Sequence, residues 1–316
     1  MRLYYADKEK EIARPKETAM RIAELIRFFG NATMDTLDGY PFDQYFKHRV
    51  GMQWRRFKSD DGKIGKTGRP MRFVTNAAAR RELEDLRAAL NHCRPFLSRP
   101  IAFKMPPKTK SDPRQTWLTP AQAAAIVRAA YRHREAQFGE STERHTLRHV
   151  ARFVVIALRT GTRSGAICAA SFIEAIGRGH VDLENCAFHR LPKGARITKK
   201  RQPSAPLSDK MADLLGRWHR LDVERYGAAC HAVIQWNGEP VKSVRKAFAS
   251  AVELAAKARP DLFRNIDPAK ITPHVLRHTA VTWMLNKGIS IWQIAGYLGM
   301  TPEVIQNTYG HHDLEA

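Results

Sequence analysis

The stretch ITPHVLRHTAVTWML, residues 271–285, decides how this chain is read. Thr272 takes the cap position, Pro273 the first helical position, and a helix follows. His274, Arg277 and His278 then stand at i, i+3 and i+4, on one face of the first two turns. A helix start favours an anion through its free N–H groups and dipole. A guanidinium that grips two oxygens at once, flanked by two imidazoles, makes that face suited to a phosphate. The bland alternative is an exposed polar face. A zinc site needs a glutamate between the two histidines, as in H-E-x-x-H; Val275, Leu276 and Arg277 stand there instead, so no metal is expected.

Three further features lie on either side. In LRTGTRSG, a helix ends at Thr160-Gly161-Thr162 and Arg163 follows the turn. In RITKKRQPS, Lys199 and Lys200 sit at an expected hairpin, where a flexible ammonium reaches a phosphate or a leaving oxygen. The chain closes on GYLGMTPEVIQNTYGHH, where Thr301-Pro302 opens a short helix that ends near Tyr309. A free phenol, with a pKa near ~10, is a poor nucleophile. Cations beside it favour the phenolate, so the sequence predicts a lowered pKa for Tyr309.

Composition points to a polyanion. Lys plus Arg number 53 against 31 Asp plus Glu, a net charge of +22. Duplex nucleic acid is the first partner such a charge implies, and an anionic membrane surface the second. The membrane reading is weak, because the longest apolar runs, such as FVVIAL at 153–158, are far too short to span a bilayer. The start of the chain lacks the apolar core of a signal peptide. The four cysteines form no C-x-x-C pair, which fits reduced thiols in an intracellular chain.

The length suggests two domains. Helices are expected over 16–30, 41–50 and 76–92. Between them, residues 54–73 hold seven basic and two acidic residues, three glycines and a proline. This is loop chemistry, and Arg55, Arg56, Lys58, Lys63, Lys66 and Arg69, interleaved with Trp54 and Phe57, suit DNA phosphates and a groove. Residues 94–117 carry five prolines and six basic residues against one acid. We read a basic linker over 100–117, with Lys108 and Lys110 against DNA, between a domain at 1–99 and a second at 118–316. The second opens with Thr119 as cap, Pro120 at the first position and Gln122 closing a capping box. Further helices are expected ending at Gly161, over 209–224 and over 241–257. A small antiparallel sheet is expected between 181 and 207.

Taken in order, ALRTGTR, the lysine hairpin before Pro206-Leu207, H-x-L-R-H, Leu298-Gly299 and Y-G-H resemble the tyrosine recombinases, the phage integrase family. The resemblance covers about 118–312. It implies a mostly α (α+β) fold: a helical core-binding domain and a mainly helical catalytic domain with a small sheet, clamped on DNA. It also implies that Arg163 and Arg277 hold the scissile phosphate. Tyr309 would attack the phosphorus, His274 would assist with the tyrosine proton, and Lys199, or else Lys200, would protonate the leaving 5′-hydroxyl. No cofactor is implied. The expected partners are duplex DNA with a specific site, a homotetramer on paired sites, and accessory DNA-bending or directionality proteins. The expected setting is the bacterial cytoplasm, at the nucleoid. Two positions depart from the family pattern. Ala166 replaces an acid three residues after the first arginine, and Met300 replaces a histidine or tryptophan after Leu298-Gly299. A thioether donates no hydrogen bond, so either His278, His311 or His312 substitutes, or activity falls. Only seven residues follow Tyr309, so either docking of a C-terminal helix on a neighbour differs from the family's manner or the chain is truncated. A type IB topoisomerase and a non-catalytic DNA-binding protein of this fold are the alternatives.

Overall fold

A computed structural model describes residues 1–12, 14–30, 32, 37, 39–52, 73–96, 101, 103–108, 116–195 and 201–309. The chain divides into two compact units, Met1–Asp112 and Pro113–Ala316.

The first unit is helical. Helices α1 (Arg2–Lys8), α2 (Pro15–Phe29), α3 (Gly39–Arg49) and α4 (Asn76–Cys93) make it up. The apolar face expected on α2 is real: Ile22 and Leu25 are buried. Leu25 packs with Phe42 and Tyr45 of α3 and Leu83 and Leu86 of α4. That core encloses an ionic group. Glu82 is fully buried and takes two hydrogen bonds from Arg49, at 2.9 and 3.0 Å, and one from Tyr45 Oη at 2.5 Å. Burial, then Glu82, pushes the Tyr45 phenol well above its usual range. α1 escapes a periodicity reading, because none of its residues is buried.

The second unit starts as its sequence requires. α5 (Pro120–Arg132) carries the full capping box, Thr119 Oγ1 accepting from the Gln122 N–H and the Gln122 side chain from the Thr119 N–H. A short hairpin follows, β1 (Ala136–Gln137) and β2 (Glu140–Ser141). α6 (Arg148–Thr160) is the centre of the unit, with Val150, Phe153, Val154, Ile156 and Ala157 buried. α7 (Ser164–Cys168) is a single short turn of helix. The sheet is three-stranded and antiparallel, β3 (His180–Asp182), β4 (Ala187–His189) and β5 (Ala205–Pro206), in that order. α8 (Asp209–Tyr226) and a second hairpin, β6 (Gln235–Trp236) and β7 (Glu239–Pro240), precede α9 (Arg245–Ala258). Phe248 of α9 meets Phe153 of α6 edge-on. α10 (Pro273–Leu285), α11 (Ile291–Leu298) and α12 (Pro302–Tyr309) close the described chain.

α11 and α12 build a small second core. Val281, Ile294, Ala295, Leu298, Ile305 and Tyr309 bury one another, with Met300 half-buried against them. Among the described residues no helix is long and apolar enough to cross a membrane. The four cysteines are free, Cys168 and Cys230 buried, Cys93 and Cys186 half-buried.

Candidate active site

Four pieces of the second unit converge. The first is the end of α6. Gly161 leaves the helix in the left-handed conformation, φ 59°. A Cβ there would lie 2.6 Å from Leu298 Cδ2 of α11, so glycine serves both the turn and the close approach. Thr162 follows, and Arg163 stands before α7. The second piece is α10, which carries Arg277 and His278. The third is the end of α11, and the fourth is Tyr309, the last residue of α12.

Arg277 is held from two sides. Its two terminal nitrogens donate to Gly161 O at 2.8 Å and Leu298 O at 2.9 Å, and the side chain is 5% exposed. The fork is therefore clamped between the α6 turn and the α11 end. Its other N–H groups have no partner among the described residues. Arg163, half-buried, donates to Arg201 O at 3.2 Å. Tyr309 is 4% exposed, and its Oη lies 2.5 Å from His278 Nδ1. His274 sits edge-on to His278, the ring centroids 4.7 Å apart.

Two expectations change here. The histidine at the Tyr309 hydroxyl is His278, one turn further along α10 than His274. The Tyr309 pKa is not lowered. Burial pushes it up to about 12, and Arg277 offsets only part of that. Desolvation of a phenolate outweighs one nearby cation. At neutral pH the hydroxyl is protonated, and His278 Nδ1 is its hydrogen-bond partner. A smaller difference concerns Thr272. It stands at the cap position of α10, but its side chain makes no cap hydrogen bond.

The site also contains a residue that the sequence did not single out. Arg190, directly after β4, is 3% exposed. Its Nε donates to Thr162 Oγ1 at 2.8 Å. Its terminal nitrogens donate to Thr160 O and Tyr297 O, both at 2.6 Å, and to Pro203 O at 3.2 Å. The guanidinium also lies over the Tyr297 ring, 4.8 Å from its centroid. Arg190 thus ties together the turn before Arg163, the end of α11 and the segment after the lysine hairpin. Nothing in AFHRLPKG marks it, because all of its partners are distant in sequence. Arg190→Lys keeps the charge and loses the fork. We expect it to lower the free energy of urea unfolding by about 2–3 kcal/mol, through carbonyls left without donors.

None of Arg163, Arg190 and Arg277 pairs with a carboxylate among the described residues. The cost shows in their ionisation. Burial, then Arg163 and Arg190, lowers Arg277 to about 10. Burial lowers Arg163, and burial with Arg163 lowers Arg190. Three cations crowd together without an acid. Such a cluster is built to receive an anion.

The remaining sequence expectations fall as follows. Lys199, Lys200, His311 and His312 lie outside the described residues, as do Arg55, Arg56, Lys58, Lys63, Lys66, Arg69 and Lys110. Strands β4 and β5, which flank the lysine segment, pair antiparallel. Lys108 is described and exposed. Met300 packs against the apolar cluster around Tyr309. Gly299 before it, at φ 62°, lets the chain approach the 201–203 segment, where a Cβ would meet Arg201 O at 2.6 Å. Ala166 is half-buried on α7.

Residues 116–315 match the phage integrase family. Several solved structures are similar at low identity. The Tn1549 transposon integrase in complex with transposon right end DNA is 15% identical with a TM-score of 0.65, over 99% of this chain and 99% of that one. A lambda integrase dimer bound to a core site is 15% identical with a TM-score of 0.57, over 98% of this chain and 95% of that one. The XerH site-specific recombinase bound to a palindromic difH substrate is 14% identical with a TM-score of 0.59, over 95% of this chain and 77% of that one. These likenesses show a shared fold. No curated protein sequence matches the chain significantly.

Proposed function

The chain belongs to the phage integrase family, and from that premise we propose that it is a site-specific recombinase that cuts and rejoins duplex DNA through a 3′-phosphotyrosine. The observation that carries this reading is the cluster of Arg163, Arg190 and Arg277. It is buried to half-buried, has no carboxylate among the described residues, and lies beside a buried tyrosine whose hydroxyl meets a histidine.

The family pattern and the geometry of the arginine–tyrosine cluster support the following chemistry. A phosphodiester enters with its non-bridging oxygens on Arg163 and Arg277. Tyr309 Oη attacks phosphorus, and its proton passes to His278 Nδ1. The bond from phosphorus to the 5′-oxygen breaks, and Lys199, or Lys200 in its place, protonates the leaving 5′-hydroxyl. In rejoining, a 5′-hydroxyl of another strand attacks the phosphotyrosine and Tyr309 leaves with its proton restored. The bond energy stays in the enzyme link, and the two steps replace one harder one. Preorganised cations at the developing charge supply the largest share of the acceleration. His274 supports the ring of His278. Met300 packs under Tyr309 and donates nothing to the phosphate.

The assembly is a homotetramer on paired sites, with accessory DNA-bending or directionality proteins as further partners. A non-catalytic remnant of the fold is disfavoured by the intact cation cluster. Supercoil relaxation by single protomers would instead mark a type IB topoisomerase. The test starts from a randomised duplex pool. Duplexes that the protein binds are recovered, nicked, incubated with it and run under denaturing conditions. A covalent protein–DNA band is expected, and its absence on duplexes that demonstrably bind would sink the enzyme reading.

A further inference from the structure

Arg163 follows a glycine turn, and a glycine lets the chain beyond it pivot. On its far side Arg163 is fixed by α7, where the Ala166 and Ile167 N–H groups donate to Arg163 O at 2.9 and 3.2 Å. On its near side the fixture is a relay of buried side chains that the catalytic steps do not use. Arg190 Nε donates to Thr162 Oγ1 at 2.8 Å. Thr162 Oγ1 lies 2.7 Å from Thr160 Oγ1, which in turn donates to Ile156 O at 2.7 Å. The Thr160 proton is committed to that carbonyl, so Thr162 donates and Thr160 accepts. The relay therefore has one direction, from the guanidinium through both hydroxyls into α6. Thr160 is 1% exposed and Thr162 2% exposed. A buried hydrogen-bond chain whose members are all satisfied stiffens what it joins.

The other Arg190 bonds bear on the same residue. Arg190 takes Thr160 O and Tyr297 O, while Arg277 takes the adjacent carbonyls, Gly161 O and Leu298 O. The two arginines thus staple the α6 turn to the α11 end side by side. Arg163 donates to Arg201 O, and Arg190 holds that segment through Pro203 O. Both the backbone and the head of Arg163 therefore rest on groups that Arg190 fixes. The Ala166 side chain, where the family pattern has an acid, offers this turn no polar atom. Arg190 is itself too enclosed to meet DNA, with four of its five N–H groups already bonded inside the protein. We propose that Arg190 and Thr162 are positioning residues for the cleavage step, which set the place of Arg163 without touching the substrate. This role presupposes the recombinase reading, because it acts on the phosphate clamp of that reaction.

Arg190 variants lose several backbone bonds at once, so the test is placed on Thr162. Thr162→Val removes the acceptor of the Arg190 Nε proton at similar size, and Thr162→Ser keeps it. Both are made in the full chain, and a urea titration of each fixes the fraction folded under assay conditions. With saturating duplex recovered from the randomised pool, single-turnover formation of the covalent band should slow by about 10- to 10²-fold in Thr162→Val, the scale of a small misplacement of a catalytic group. Duplex affinity should stay within about twofold, since backbone charge dominates it. Thr162→Ser should return the rate to that of wild type. A threonine that only supported the fold would lower the fraction of protein that reacts and leave the rate constant of the reacting fraction unchanged. In an Arg163→Lys background Thr162→Val should cost little more, because the group it positions is already altered.

A wild-type rate constant in Thr162→Val overturns the proposal. So do losses that multiply fully in the double variant, which would place the effect on a group other than Arg163. A last measurement does not depend on activity. Phenylglyoxal adds to guanidinium groups, and peptide mass spectrometry reads which arginine it has modified. In the free protein Arg163 should be modified severalfold faster in Thr162→Val than in wild type or Thr162→Ser, and equal labelling overturns the proposal. If wild type forms no covalent band on duplexes that it binds, the recombinase reading falls. Faster labelling of Arg163 in Thr162→Val would then still show that the relay holds this arginine, and equal labelling would dispose of the hold as well.

Discussion

Tyr309→Phe abolishes the covalent protein–DNA band and leaves duplex binding within about twofold of wild type. The ring is the buried part of Tyr309. It packs with Val281, Ile294, Leu298 and Ile305, and phenylalanine keeps all of that surface. The substitution removes one oxygen, whose partner is His278 Nδ1 at 2.5 Å. The arginine cluster remains, so the phosphate still has its cationic seat. Affinity, which comes mainly from backbone charge, should hardly move. Chemistry has no alternative nucleophile in that position and should stop. A band that survives in the phenylalanine variant would mean that another residue makes the link.

Arg277→Lys should slow formation of the covalent band by about 10²–10³ in single-turnover assays, with weaker effects on binding. The substitution is not conservative here. Arg277 uses its fork to span Gly161 O and Leu298 O, and an ammonium cannot span both. A second loss compounds the first. Burial and two neighbouring guanidiniums already bring this arginine down to about 10. The same surroundings would press a lysine, ordinarily about 10.4, towards its neutral form. A rate within about threefold of wild type would show that charge alone suffices and that the two-carbonyl clamp has no catalytic consequence.

Much of this was legible in the sequence, for identifiable reasons. The α5 capping box, the glycine turn after α6 and the proline starts of α10 and α12 are local signals, each decided within four or five residues. The ordered motifs placed Arg163, Arg277 and Tyr309 in one unit because the family pattern records their meeting. Three things were not legible. α1, α7 and the two-residue hairpins are too short to show a period. Arg190 has no local signature, since its four acceptors lie at 160, 162, 203 and 297. The exchange of His274 for His278 at the tyrosine depends on how α12 returns across α10, which no spacing within HVLRH reveals. The sign of the Tyr309 shift failed for a related reason. The sequence displays cations, while the depth of burial that outweighs them is a property of the packed α11–α12 core.

The acid-free arginine cluster carries a consequence for how this gene drifts. Holding three guanidiniums together, two of them buried, is a liability to the resting fold, and apolar replacements of matching size often relieve such a burden. Yet Arg190 and Arg277 cannot be shed one at a time without cost, because each loss strands buried carbonyls that the guanidinium holds. The repulsion among the three is thus carried by the backbone around them, which keeps a place ready for the phosphate.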